Sequence, residues 1–256
     1  MTIADLLPAD VSASALIRLA VIAFVASVTR GFSGFGSALI FMPLAGTAVA
    51  PKTAAALLLI IDFISAAPLV PNAWKIAQRK TVGMMALGAL IGVPVGTWAL
   101  TRLDPIVTRW LIASLVLVLL ALLVSGWRYR GEPHPAIATG VGGLAGLCSG
   151  LAQTGGPPIV TFWLGQPIAR AVARANIVLY FGVSDIFSIA TYLLNGLLTA
   201  DVARLCLVIG PIYAFGLFLG AQMFGVASET TFRRVCYSLI AIAGVIGLPL
   251  LDRFTH

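Results

Sequence analysis

The chain has 256 residues, of which 60% are hydrophobic and only 10% charged, with a mean hydropathy of +1.04. A soluble domain carries about a quarter charged residues, so this composition excludes one and indicates a polytopic helical membrane protein; the long, unalternating apolar runs argue against a β-barrel. The net charge of +7 is spread as single or paired bases between those runs, the pattern of loops facing anionic lipid rather than nucleic acid.

Ten apolar elements are predicted, over 12–29, 35–50, 53–71, 81–101, 105–127, 136–149, 156–166, 171–194, 202–225 and 231–251. A spanning helix needs about 20 residues, and six of the ten meet that comfortably. The pairs 12–29/35–50 and 136–149/156–166 are shorter, and a glycine-rich break joins the members of each. Each pair is expected either as two tilted spans or as a hairpin that turns back within the membrane. Asp5 and Asp10 stand where a secretory signal would carry bases, so the residues up to Asp10 are expected to remain as a short tail. Cys148, Cys206 and Cys236 lie inside apolar runs without a C-x-x-C spacing, so packing is their expected role. Trp74, Trp98, Trp110, Trp127 and Trp163 mostly fall near helix ends, as interfacial belts do.

The two halves resemble each other. Leu59–Ser65 matches Gly182–Ser188 and aligns Asp62 with Asp185, an offset of 123 (185 − 62). Gly92–Gly96 matches Gly216–Gly220, and Arg109 matches Arg233, both at 124 (216 − 92 and 233 − 109). Two repeats of five elements are therefore expected, 1–130 and 131–256, divided by the polar linker Arg128–Pro135 within a single membrane domain. An odd number of crossings per repeat inverts one half relative to the other. Lys75, Arg79 and Lys80 lie in a first-half loop whose second-half counterpart, Asn195 to Ala200, carries no base. The positive-inside rule thus favours an inverted repeat. The expected fold is all-α, a transmembrane bundle of two inverted repeats with about 8–10 membrane segments and broken or hairpin helices at the glycine-rich motifs.

Those motifs are Arg30-Gly31-Phe32-Ser33-Gly34-Phe35-Gly36-Ser37 and Cys148-Ser149-Gly150-Leu151-Ala152-Gln153-Thr154-Gly155-Gly156-Pro157-Pro158. Lipid supplies no hydrogen-bond partners, so non-helical backbone is tolerated at membrane depth only inside protein or beside a wet cavity. One such break in each half points to a transporter's central site. A helix start presents unpaired amides and partial positive charge, which suit an anion. Ser149, Gln153 and Thr154 add side-chain donors in the second half; Ser33, Ser37 and Arg30 do so in the first. Small residues also permit plain helix packing. Arg170, Arg174 and Asn176 open the 171–194 element, where they either form an anion vestibule or set topology, and Asn176 is a candidate substrate contact.

Asp62 and Asp185 lie deep in apolar elements, where a carboxylate is costly and functional by default. They are expected to bind a proton or Na⁺ that couples transport, to pair with a base such as Arg30 or Arg174, or to act as structural acids held by Ser65 or Ser188. No catalytic motif or metal-spaced cluster is present, so neither enzyme activity nor a cofactor is expected. The apolar exterior is compatible with an oligomer.

Gly31-Phe32-Ser33-Gly34-Phe35-Gly36, with Ser149-Gly150 and Gly155-Gly156-Pro157-Pro158, resembles the TauE/SafE sulfite-exporter family, also called sulfonate uptake permeases. The likeness extends over nearly the whole chain. It implies a multi-pass transporter of the bacterial inner membrane that moves a sulfur-containing anion such as sulfite, sulfoacetate or another organosulfonate. It also implies that Gly31 to Ser37 and Ser149 to Pro158 line the translocation site. One departure is that the family often carries further glycine where this chain has Ala152, Gln153 and Thr154. The expected mechanism is export by alternating access around a midplane anion site; an inside-negative potential of 100 mV favours anion exit by about 2.3 kcal/mol per charge, which is enough for a simple uniport. A passive anion channel and proton- or Na⁺-coupled uptake of another small organic anion are the alternatives.

Overall fold

The structure, a computed structural model, describes residues 12–131, 134–223 and 229–250, without the side chains of Ser33 and 229–233. The expected tail up to Asp10 and the linker positions 132–133 lie outside the described residues. The described residues are helical with no strand. They form α1 (Ala13–Ser33), α2 (Ser37–Ala45), α3 (Pro51–Ala66), α4 (Val70–Ile76), α5 (Arg79–Arg102), α6 (Pro105–Val124), α7 (Pro135–Ala152), α8 (Gly156–Trp163), α9 (Arg170–Leu194), α10 (Ala200–Met223) and α11 (Glu229–Ile246). A 3-10 turn, Ala67–Leu69, joins α3 to α4 where Pro68 and Pro71 interrupt the helix.

Among the described residues, seven stretches are long and apolar enough to cross a membrane. They are α1, α3 with α4 as one stretch, α5, α6, α7, α9 and α10. The short predicted pairs prove unequal. α1 has 21 residues and α7 has 18, whereas α2 has nine and α8 eight. At 1.5 Å per residue the last two rise only about 12–14 Å, under half of the ~30 Å hydrocarbon core. Two tilted spans per pair are therefore excluded. Instead α2 packs back against α1, and α8 against α7.

The helices gather into two compact units, each drawing on both sides of the linker. In one, α1 lies along α10, and α2 rests on α1 and α11. A Cβ on Gly31 of α1 would strike the Leu217 carbonyl oxygen, and Gly216 and Gly220 of α10 sit equally close to Phe24, Ser27 and Val28. In the other, α5 lies along α7. Gly88, Gly92 and Gly96 of α5 press on the α7 backbone at Thr139, Gly143 and Leu147, while Gly142, Gly146 and Gly150 of α7 press on Met85, Ala89 and Val93. Small residues replace the missing hydrophobic drive in lipid with close dispersion contact. On the far side of α5, Leu87, Ile91, Val95 and Trp98 are exposed, as suits a surface whose solvent is lipid. Both long pairings, α1 with α10 and α5 with α7, thus join helices from opposite sides of the linker.

The linker is not a loose bridge. Tyr129 N–H donates to the Thr161 carbonyl at 3.2 Å, Gln166 donates to the Tyr129 carbonyl at 3.3 Å, and the Tyr129 ring stacks on Phe162. His134 Nδ1 then caps α7 by accepting from the Ala136 amide. Cys148 and Cys236 are buried thiols and Cys206 is half-buried, none in a disulfide. Four tryptophans are exposed, but Trp163 is fully buried and its indole N–H has no partner, so the belt assignment is corrected there.

Gly92→Val is expected to cost about 1–3 kcal/mol of stability by forcing α5 and α7 apart. Gly83→Ala, in the same helix with nothing within 4 Å of the added carbon, is expected to add about 0.5–1 kcal/mol. Thermal unfolding in detergent checks both, with Tm falling for the first and rising for the second.

Candidate functional site

Both motifs are broken, but later along the chain than the sequence suggests. α1 runs through Arg30, Gly31 and Ser33, and α7 runs through Ser149 and Gly150. Gly31 and Gly150 are therefore packing positions inside helices, pressed against α10 and α5 respectively. Arg30 lies in the last turn of α1, where a cation suits the helix dipole, and it is engaged within the protein. The Ser33 side chain lies outside the described part. The non-helical backbone is confined to Gly34-Phe35-Gly36 and to Gln153-Thr154-Gly155.

In the first break, Gly34 ends α1 at φ +79°, and its amide donates to the Arg30 carbonyl at 2.7 Å. Gly36 starts α2 at φ +95°, a region that glycine enters without steric cost. No side chain caps α2. First-turn amides have no acceptor within their own helix, so those of Ser37 and Ala38 point onward unused by α2. Ser37, 1% exposed, also carries a hydroxyl with no hydrogen-bond partner. A buried hydroxyl without a partner costs about 1–3 kcal/mol.

The second break is more fully spent. Gln153 closes α7 at φ +56° and donates its amide to the Ser149 carbonyl at 2.8 Å. The Thr154 amide and hydroxyl both go to the Cys148 carbonyl, at 3.2 and 3.3 Å. The Gln153 side chain donates to Tyr192 Oη at 3.3 Å, and Tyr192 donates to the Gly150 carbonyl at 2.9 Å. Two of the donors expected here, Gln153 and Thr154, are thus already at work inside the protein. α8 also starts without a side-chain cap. Pro157 and Pro158 lack amide hydrogens, so its first turn offers only Gly155 and Gly156. Gly155 approaches α7 so closely that a Cβ would meet Ser149 Oγ and lie 2.6 Å from the Ala145 carbonyl oxygen.

The remaining candidates separate further. Asn176 is fully buried, but its Oδ1 accepts from the Gln78 amide at 2.7 Å and its Nδ2 donates to Gln78 Oε1 at 3.3 Å. It ties α9 to the α4–α5 junction, and both ends of its amide are spent there. Arg170 and Arg174 are exposed. Asp62 is half-buried and Asp185 buried, and each is engaged within the protein. Ser188 does not hold Asp185, because its hydroxyl has no partner at all. Ser184, unremarked from sequence as a site, is in the same state. The signal for it was the four-residue spacing Tyr180, Ser184, Ser188, Tyr192.

Residues 19–246 match the family described as sulfite exporter TauE/SafE. The chain belongs to that family. It is similar to a probable sulfite/organosulfonate exporter TauE of Cupriavidus necator, at 27% identity over 229 residues, covering 86% of this chain and 89% of that protein. No solved structure matches. TauE/SafE proteins are transporters, so this one is a multi-pass membrane transporter of the bacterial inner-membrane type and not an enzyme.

Gln153 is the one non-glycine residue with positive φ among those described, a conformation that costs an L-residue about 1–2 kcal/mol. Its bond to Tyr192 returns about 0.5–1.5 kcal/mol. Gln153→Ala is expected to lose the bond while keeping the strain, and so to be about 1 kcal/mol less stable. Gln153→Gly is expected to be near neutral. Denaturation midpoints of the two variants, compared with the parent, check that order.

Proposed function

We propose that this transporter exports a small sulfur oxyanion, sulfite or an organosulfonate, and that the starts of α2 and α8 are its anion-binding elements. The observation that carries this is Ser37, a buried hydroxyl without a partner beside the uncapped amides of α2. An oxyanion with two or three oxygens accepts from the Ser37 hydroxyl and from the Ser37 and Ala38 amides. Gly155 and Gly156 offer a smaller set of the same kind. Charge-assisted bonds contribute about 1.5–3 kcal/mol each, so a few give millimolar to micromolar affinity and still allow release. The likeness to a probable sulfite/organosulfonate exporter of Cupriavidus necator favours sulfite and organosulfonates as the anion class.

Asp62 and Asp185 are poor contacts for such an anion, because carboxylates repel it. An inside-negative potential of 100 mV favours exit of each negative charge by about 2.3 kcal/mol, which is sufficient drive for export. Alternating access is supported by the exchanged helix pairing, in which α1 lies on α10 and α7 on α5. Inverted repeats of five elements produce that reciprocity.

Sulfite flux in proteoliposomes tests the placement. Ser37→Ala is expected to raise the KM for sulfite about ten- to a hundredfold, the equivalent of one charge-assisted bond. Gly155→Val is expected to abolish flux while the protein still elutes as a single species. Parental flux in both variants contradicts the assignment.

A further inference from the structure

Four residues of α9 recur at every fourth position, Tyr180, Ser184, Ser188 and Tyr192, and each is 0% exposed. A step of four residues turns a helix by only about 40°, so they form one stripe. Its ends are pinned to α7, because Tyr180 Oη donates to the Gly142 carbonyl at 2.8 Å and Tyr192 Oη to the Gly150 carbonyl at 2.9 Å. The serines between them therefore lie on the side of α9 turned to α7. Neither hydroxyl has a hydrogen-bond partner; Ser184 approaches the Tyr180 phenol without reaching hydrogen-bond geometry. A hydroxyl in a helix ordinarily turns back to the carbonyl of the preceding turn, as Thr191 does to Phe187 at 2.7 Å. Two neighbouring hydroxyls on this stripe do not. Asp185, 9% exposed, flanks both. It is engaged within the protein, so the hydroxyls carry the inference.

We propose that Ser184 and Ser188 bind a monovalent cation, Na⁺, with the Tyr180 phenol oxygen and the Asp185 carboxylate as neighbouring donors. All four groups offer hard oxygen lone pairs, the ligands of alkali and alkaline-earth cations. The single carboxylate balances one positive charge, and it disfavours an anion at the same place. No group of three or more His, Cys, Asp or Glu that would hold a transition metal occurs among the described residues. The stripe also reaches the second break, since Tyr192, one turn beyond Ser188, accepts from Gln153. A cation bound there strengthens anion binding at the start of α8. That coupling rests on the transport reading; the binding of Na⁺ does not.

The test uses the purified full-length chain in detergent and in proteoliposomes. NaCl is expected to raise Tm relative to choline chloride and KCl at equal ionic strength, and ²²Na⁺ is expected to be retained. Ser184→Ala and Ser188→Ala are each expected to weaken Na⁺ binding by about tenfold or more. In choline chloride both variants are expected to match or exceed the parental Tm, because each removes an unsatisfied buried hydroxyl. Equal Tm in all three salts with no ²²Na⁺ retention overturns the proposal, as does a Na⁺ response that survives in the double variant. Sulfite flux that is present but indifferent to Na⁺ removes the coupling and leaves export standing. Na⁺ binding without flux of any sulfur oxyanion does the reverse.

Discussion

A backbone amide or carbonyl inside a lipid bilayer has no water to turn to, so every helix that stops there must close its ends within the protein or present them to a ligand. The two breaks handle their opposite ends differently. On the outgoing side, Gly34 bonds back to Arg30, Gln153 to Ser149 and Thr154 to Cys148, while Tyr192 covers the Gly150 carbonyl. On the incoming side, α2 and α8 begin with no side-chain cap. The carbonyls named here are bonded within the protein, and the first amides of the two short helices receive no side-chain cap. Amides at a helix start are donors with a partial positive charge, which suits the proposed anion better than a cation.

The same element of composition, glycine, does two unlike jobs in this chain. At Gly31, Gly92 and Gly150 it removes a side chain so that helix backbones can touch. At Gly34 and Gly36 nothing crowds the position, and glycine is there for its positive φ. The sequence does not distinguish these jobs, because an isolated glycine in an apolar run serves either. For that reason the sequence places the start of the breaks at Arg30 and Cys148, whereas the helices continue through both. α5 and α10 supply the packing surface that offsets glycine's weak helix propensity, and that surface is a tertiary fact.

Other features were legible because they depend on local chemistry. Long apolar runs, Gly-Gly-Pro-Pro and the paired motifs announced a helical membrane protein with a break in each half. Family membership followed from the same residues. The fate of each polar side chain was not legible, since Asn176 is consumed by Gln78, ninety-eight residues away in sequence. Gln153 is consumed by Tyr192 in the same way. The stripe on α9 was within reach of a helical-spacing argument, yet only burial separates Ser184 and Ser188 from ordinary hydroxyls bonded to their own helix. Pro157 and Pro158 carry a related lesson. They mark a helix start well, and by the same chemistry they withhold two of its donors.

The central claim is that the first amides of a short helix, above all those of Ser37 and Ala38 in α2, bind the anion. The most direct measurement is an amide NMR titration of isotopically labelled protein with sulfite, using chloride at equal ionic strength as reference. Saturable downfield shifts at Ser37 and Ala38, with smaller ones at Gly155 and Gly156, are the expected result. Shifts that leave these four amides unmoved while other residues respond to sulfite contradict it.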